Sequence, residues 1–202
     1  MIKLGIAGGI GSGKSVVSRL LQVMDVPVYD CDSNAKRLQE TSKEIKDAYI
    51  ELLGLNAYLS NGKLNKPYIA DKIFGDKELL QKINNIVHPA VFNDFERWAN
   101  EQDSLIVGME SALIMQSERA RQVLDKICLV TAPKELRIER AMKRDNAQRE
   151  KIEQRIANQA DDDESRKYAD YVIVNDDKCG LIHQTRMMIQ EMMKEIIGKE
   201  VE

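Results

Sequence analysis

Apolar residues gather in short runs separated by longer charged stretches, and their period changes along the chain. Residues 2–7 (IKLGIA), 104–109 (SLIVGM), 126–131 (KICLVT) and 171–174 (YVIV) are compact apolar blocks of strand length. Such near-continuous runs suit strands buried on both faces, as in a parallel sheet. Between 14 and 24 (KSVVSRLLQVM), Val16, Val17, Leu20, Leu21 and Met24 recur at helical spacing. Residues 26–29 (VPVY) then predict a strand ending at Asp30. Strand, helix and strand in about 30 residues make a βαβ unit, which requires parallel pairing.

The stretch from 33 to 100 has a mostly helical pattern, punctuated by a turn at Asn61-Gly62 and by Pro67 and Pro89, where breaks are expected. It is longer than a crossover helix needs, so it reads as an inserted helical subdomain. Residues 134–167 are dense in Arg, Lys, Asp and Glu and predict a solvated helical pair. Over 181–198, apolar Leu181, Ile182, Met188, Ile189, Met192, Met193, Ile196 and Ile197 predict a core-packed helix whose methionines are packing residues. The expected division is a core of 1–32, 101–133 and 168–202, an insert at about 33–100, and a lid at about 134–167.

Composition narrows the class. The 202 residues, 43% hydrophobic and 31% charged, exclude collagen-like and disordered chains and suffice for a sizeable core. Thirty basic against 33 acidic residues give a net charge of −3, which argues against a nucleic-acid binder. No apolar run is long enough to span a membrane, and the opening lacks the regions of a signal peptide. Three widely spaced cysteines (Cys31, Cys128 and Cys179) form neither a disulfide framework nor a metal motif. A cytoplasmic protein is expected, as a monomer or else an oligomer.

The chemistry begins at Gly8-Gly9-Ile10-Gly11-Ser12-Gly13-Lys14-Ser15, which fits G-x-x-x-x-G-K-[ST]. Glycines let the main chain turn its N–H groups onto phosphate oxygens, and the following helix directs its positive end at the same anion. Lys14 supplies a point charge to the β/γ-phosphates, and Ser15 a hydroxyl ligand to Mg²⁺. The loop alone leaves three classes open: a small-molecule kinase, a GTPase, and an ATPase motor or binding module. The guanine-reading N-K-x-D is absent, because Asn65-Lys66-Pro67-Tyr68 lacks the acid. Neither later strand ends in Asp, as a motor's would. Small size, the helical insert and late arginines favour a kinase.

Two carboxylates, Asp30 and Asp32, follow the second strand, where ligands bind in open α/β sheets. Asp32 there either accepts the proton of an attacking hydroxyl or caps a helix starting at Ser33. Arg137, Arg140, Arg144 and Arg149 share one charged region, with Arg155 beyond. Guanidinium groups there either clamp phosphates or form a solvated, salt-bridged face.

These residues together resemble the dephospho-coenzyme A kinase family along nearly the whole chain. The resemblance is carried by GIAGGIGSGKS, by Asp30-Cys31-Asp32 with Ala35, and by Lys72-Ile73-Phe74 through His88-Pro89. It continues in Arg140 with Arg144-Asp145, Arg155-Ile156 with Gln159, and Ala169-Asp170-Tyr171-Val172-Ile173 with Asn175. The chain departs from the family at Ser111 and Gln116, where a proline and an acid are usual. The resemblance implies an α/β P-loop kinase fold of three layers, with a parallel five-stranded sheet, an inserted helical substrate domain and a helical lid. It implies ATP-dependent phosphorylation of the ribose 3′-hydroxyl of dephospho-coenzyme A, with Mg²⁺ accompanying ATP. Gly9, Ile10, Gly11, Ser12, Gly13, Lys14, Ser15 and Val16 would hold ATP, with Arg140, Arg144 and Asn175. Asp32, Lys14 and Arg140 would be catalytic, and Asp32 and His88 would meet the acceptor. Another P-loop small-molecule or nucleotide kinase, or a non-catalytic nucleotide binder, shares the same loop.

Overall fold

A computed structural model describes residues 1–159 and 162–199. In chain order the elements open with β1 (Ile2–Ala7), α1 (Lys14–Val23), β2 (Val28–Asp30), α2 (Cys31–Thr41) and α3 (Lys43–Leu53). Then come a 3-10 turn (Leu55–Ala57), α4 (Lys66–Ile73), α5 (Lys77–Asn100) and β3 (Ile106–Glu110). A second 3-10 turn (Ile114–Gln116), α6 (Glu118–Val123), β4 (Lys126–Thr131), α7 (Lys134–Asp145) and α8 (Arg149–Ala157) follow. The last three are α9 (Asp162–Arg166), β5 (Tyr171–Val174) and α10 (Leu181–Lys199).

The chain divides into two compact units, Met1–Tyr29 with Ala99–Glu202, and Asp30–Trp98. The first is built on a five-stranded sheet of order β2-β3-β1-β4-β5. The pairings β1–β3, β1–β4 and β4–β5 are all parallel. The apolar blocks 126–131 and 171–174 are strands with the expected bounds. Parallel strands need both faces covered, and both are. On one face Leu4, Ile6, Cys128, Val130 and Ile173 pack with Val17 and Leu21 of α1 and Met188 and Met192 of α10. On the other, Gly5 leaves room for Ile114 and Leu124 to lie against the strand. The order places β1 at the centre. The loop after it therefore emerges at the carboxyl edge where chain connections part to either side, the usual ligand crevice of such sheets.

The segment 134–167 differs from its predicted character. It holds three helices rather than a pair, and it is not wholly solvated. Ile138, Ala141 and Ile152 form their own buried cluster, with Ile10, Met142, Ala147 and Ile156 packed against it. Dense charge masked this small apolar seam, because only three or four positions in two turns need to be apolar. Residues 160 and 161 of that segment lie outside the described residues.

In the second unit, Pro67 sits in the first turn of α4, where its missing N–H costs nothing, and Asn65 caps the helix. The expected break at Pro89 is absent: Pro89 lies inside α5. Buried Val87, Val91, Phe92 and Phe95 flank it, and burying those side chains outweighs the one hydrogen bond that proline removes. Among the described residues, no helix is long and apolar enough to cross a membrane.

Candidate active site

Residues 8–13 lead from β1 into α1, and their turns dictate glycine. Gly11 and Gly13 have φ of +74° and +97°, conformations that L side chains rarely adopt. There is also no room. A Cβ on Gly13 would lie 2.1 Å from Asn175 Nδ2, and one on Gly11 would lie 2.2 Å from the Arg137 carbonyl oxygen. Gly13 precedes α1 without any side-chain cap. Its carbonyl accepts from the amides of Val16 and Val17, at 3.0 and 3.2 Å. The amides of Gly11, Gly13 and Ser15 have no protein acceptor among the described residues. Amides left open at a helix start, beside the positive end of the helix, form a cradle for an anion. The Lys14 ammonium lies along this turn, 3.4 Å from the Gly9 carbonyl.

Neighbouring strands and helices fix the turn. The Asn175 main chain donates to Thr131 O at 2.8 Å, which ties the end of β5 to the end of β4. The Asn175 amide group then donates to Ser12 O at 2.8 Å, holding the loop from the β5 side. Arg140 donates to the Asn175 carbonyl and to its Oδ1, at 3.1 and 3.3 Å, and pairs with Asp177. From α7, buried Arg137 donates through Nε to Ile10 O at 3.0 Å. Gln159 accepts from Ile10 N–H at 2.8 Å.

The structure therefore brings together Lys14, the loop amides, Asn175 and Arg140. It does not add Arg144. That side chain pairs with Asp145 at 2.7 Å, and Arg155 shares the same carboxylate at 2.7 Å. The hydrogen bond from Arg144, with help from Arg155, pulls the Asp145 carboxyl down to about 2. Arg137, to which the sequence assigned no site role while Arg140 and Arg144 were given one, bonds directly to the loop. Its signal was its phase: three residues before Arg140, it falls on the helix face shared with Ile138 and Ala141.

In the second unit, Asp30 caps α2, not Asp32. Its carboxylate accepts from Asp32 N–H at 3.0 Å and from the Ser33 hydroxyl at 2.5 Å. The helix begins at Cys31, two residues earlier than predicted, because the acid that leaves the strand is already in the extended conformation a cap needs. The Asp32 side chain is exposed and makes no hydrogen bond or ion pair among the described residues. His88 stands half-buried on α5, and burial lowers its pKa from the ordinary 6.5. Elsewhere in this unit, buried Asp94 bridges Arg37 and Arg97 on the wall of a cavity of about 570 Å³. Such a carboxylate sets both guanidiniums in fixed directions.

After β3, Ser111 starts a local turn, its hydroxyl accepting from Leu113 N–H at 3.1 Å. Gln116 is exposed at the end of the following 3-10 turn. Among the described residues, neither makes a hydrogen bond to the phosphate loop.

A central parallel strand, a glycine loop and a helix start with open amides define a P-loop nucleotide-binding protein. Residues 2–180 match the family model of dephospho-CoA kinase. The chain belongs to that family. It is 44% identical over 196 residues to the dephospho-CoA kinase of Bacteroides fragilis, covering 96% of this chain and 95% of that one. It is 41% identical over 176 residues to that of Porphyromonas gingivalis, covering 87% and 86%. The crystal structure of TT1252 from Thermus thermophilus superposes with a TM-score of 0.77 at 30% identity, covering 96% of this chain and 97% of that one.

Two outcomes follow from this geometry. Gly13→Ala forces a strained φ and a collision with Asn175, so ADP binding should weaken about tenfold or more by calorimetry; unchanged affinity would show that the turn is not the phosphate cradle. For His88, burial favours the neutral ring, so the unfolded chain takes up the proton first. The stability that neutral His88 contributes is present above its ordinary pKa of 6.5 and is lost as pH falls below it. His88→Gln should therefore flatten the fall in urea midpoint between about pH 7.5 and about pH 5; an unaltered slope refutes the assignment.

Proposed function

We propose that the protein transfers the terminal phosphoryl group of ATP to the ribose 3′-hydroxyl of dephospho-coenzyme A, giving coenzyme A and ADP. The observation that carries the phosphoryl-transfer reading is the set of open amides on Gly11, Gly13 and Ser15 at the uncapped start of α1. Membership of the family supports the acceptor. In the reaction the hydroxyl oxygen bonds to the γ-phosphorus, the bond from that phosphorus to the β-γ bridging oxygen breaks, and the proton goes to a base. Asp32 is the base: its carboxylate is exposed and unengaged, while Asp30 is spent on the cap. Lys14 and the loop amides hold the β- and γ-phosphates and stabilise charge as it moves to the leaving oxygen.

Ser15 suits a Mg²⁺ site. Its exposed hydroxyl, on the first turn of α1, makes no hydrogen bond among the described residues and is the hard oxygen donor this ion takes. When bound with the nucleotide, Mg²⁺ neutralises phosphate charge and fixes its geometry. Arg140 acts on the same charge by exchanging the Asp177 carboxylate for phosphate, an anion for an anion. Asn175 contributes from the end of β5, and Arg144 joins from α7 when the nucleotide is bound. The helices of 134–167 serve as the lid that excludes water. His88 shapes the acceptor side as a neutral ring.

The test is ADP release in a coupled assay with dephospho-coenzyme A and a panel of nucleoside and sugar alcohols. Release should depend on dephospho-coenzyme A; release that depends on another alcohol, or on none, overturns the reading. In the same assay Lys14→Ala should cut kcat/KM by about 10²-fold or more. Asp32→Asn should cut kcat by about 10²- to 10⁴-fold with the ATP KM within about twofold. An Asp32 variant that loses ATP affinity but keeps its turnover would instead make this residue a nucleotide ligand.

A further inference from the structure

Ile10, in the middle of the phosphate loop, is held in three ways by the helices at 134–159. Its side chain packs against the buried cluster of Ile138, Ala141 and Ile152. Its carbonyl accepts from Arg137 Nε at 3.0 Å. Its N–H donates to Gln159 Oε1 at 2.8 Å. The triangle closes where Arg137 Nη2 meets the same Gln159 oxygen at 3.4 Å. Gln159 is itself placed by the end of α8, where its N–H donates to Ile156 O and that of Asn158 to Gln154 O.

We propose that Arg137 and Gln159 are positioning residues for phosphoryl transfer, coupling the α7–α8 hairpin to the phosphate loop through Ile10. A loop that directs amides at an anion has few left to bind itself, so its shape must be imposed from outside. Ile10 is the residue whose two main-chain groups are both taken by side chains from the hairpin. Swinging the hairpin away as a rigid flap would withdraw the Ile10 side chain from its cluster and break both main-chain bonds. The hairpin is therefore docked when the loop is ready for phosphate, and phosphate binding stabilises the docked hairpin in turn, because such coupling is reciprocal.

This inference rests on the phosphate-loop reading but not on the identity of the acceptor. The experiment is calorimetric titration with ADP and Mg²⁺ of the full chain and two variants, Gln159→Ala and Ile10→Ala, beside urea midpoints and KM for dephospho-coenzyme A. Gln159→Ala removes one main-chain acceptor, and Ile10→Ala removes the plug while leaving the main chain. Each should weaken ADP binding about five- to tenfold with the KM for dephospho-coenzyme A unchanged; the urea midpoint should hold in Gln159→Ala and fall in Ile10→Ala, which empties a place in the apolar cluster. In hydrogen exchange, bound ADP should slow the amides of α8 in the wild type and lose that effect in both variants. ADP affinity within about twofold of wild type, or α8 exchange indifferent to ADP in the wild type, overturns the coupling. In Gln159→Ala, a fall in affinity matched by a fall in midpoint makes the residue merely structural and overturns it equally. Failure of the wild type to bind ADP at all would instead sink the phosphate-loop reading.

Discussion

A loop that offers its amides to an anion gives up the hydrogen bonds that would otherwise hold it in shape. The rest of this structure answers that constraint. Gly11 and Gly13 make the turn sterically accessible, and the surrounding atoms then leave space for nothing larger. Asn175 fastens the Ser12 carbonyl from the β5 side, while Arg137 and Gln159 fasten the carbonyl and the N–H of Ile10 from α7 and the end of α8. The anchors come from elements more than a hundred residues away in sequence. The cradle is thus a property of the assembled sheet and its flanking helices, not of the eight-residue motif.

The sheet supplies the frame for those anchors. With β1 between β3 and β4, the loop leaves the centre of the strand edge, and the ends of β4 and β5 stand beside it. The Thr131–Asn175 main-chain bond continues the β4–β5 ladder by one residue, which sets the Asn175 side chain level with Ser12. Arg140 then braces Asn175. Its pairing with Asp177 keeps the guanidinium ordered at the loop while giving it a partner that a phosphate oxygen can replace.

Much of this was legible in the sequence because the signals were local or strongly periodic. Apolar blocks mark β4 and β5 to the residue, although β5 at the sheet edge leaves Val172 exposed, and the glycine motif followed by Val16, Val17, Leu20 and Leu21 marks a loop opening a helix. What escaped depends on tertiary contact. Pro89 reads as a break until buried Val91 and Phe95 on its far side are known. Asp30 and Asp32 flank Cys31, and which caps the helix depends on where the strand lets go of the chain. Arg137 and Arg144 look alike in a charged helix; one is buried under the loop and the other turns to Asp145. A small cluster of Ile138, Ala141 and Ile152 decides between them.

The central claim is that the main-chain amides of the glycine loop grip a nucleotide's phosphates. Backbone amide resonances followed during titration with ADP and Mg²⁺ test it without reference to any acceptor. The account predicts that Gly11, Gly13 and Ser15 show the largest downfield shifts in the protein, saturating together. Saturable binding that leaves those three amides where they were would contradict it.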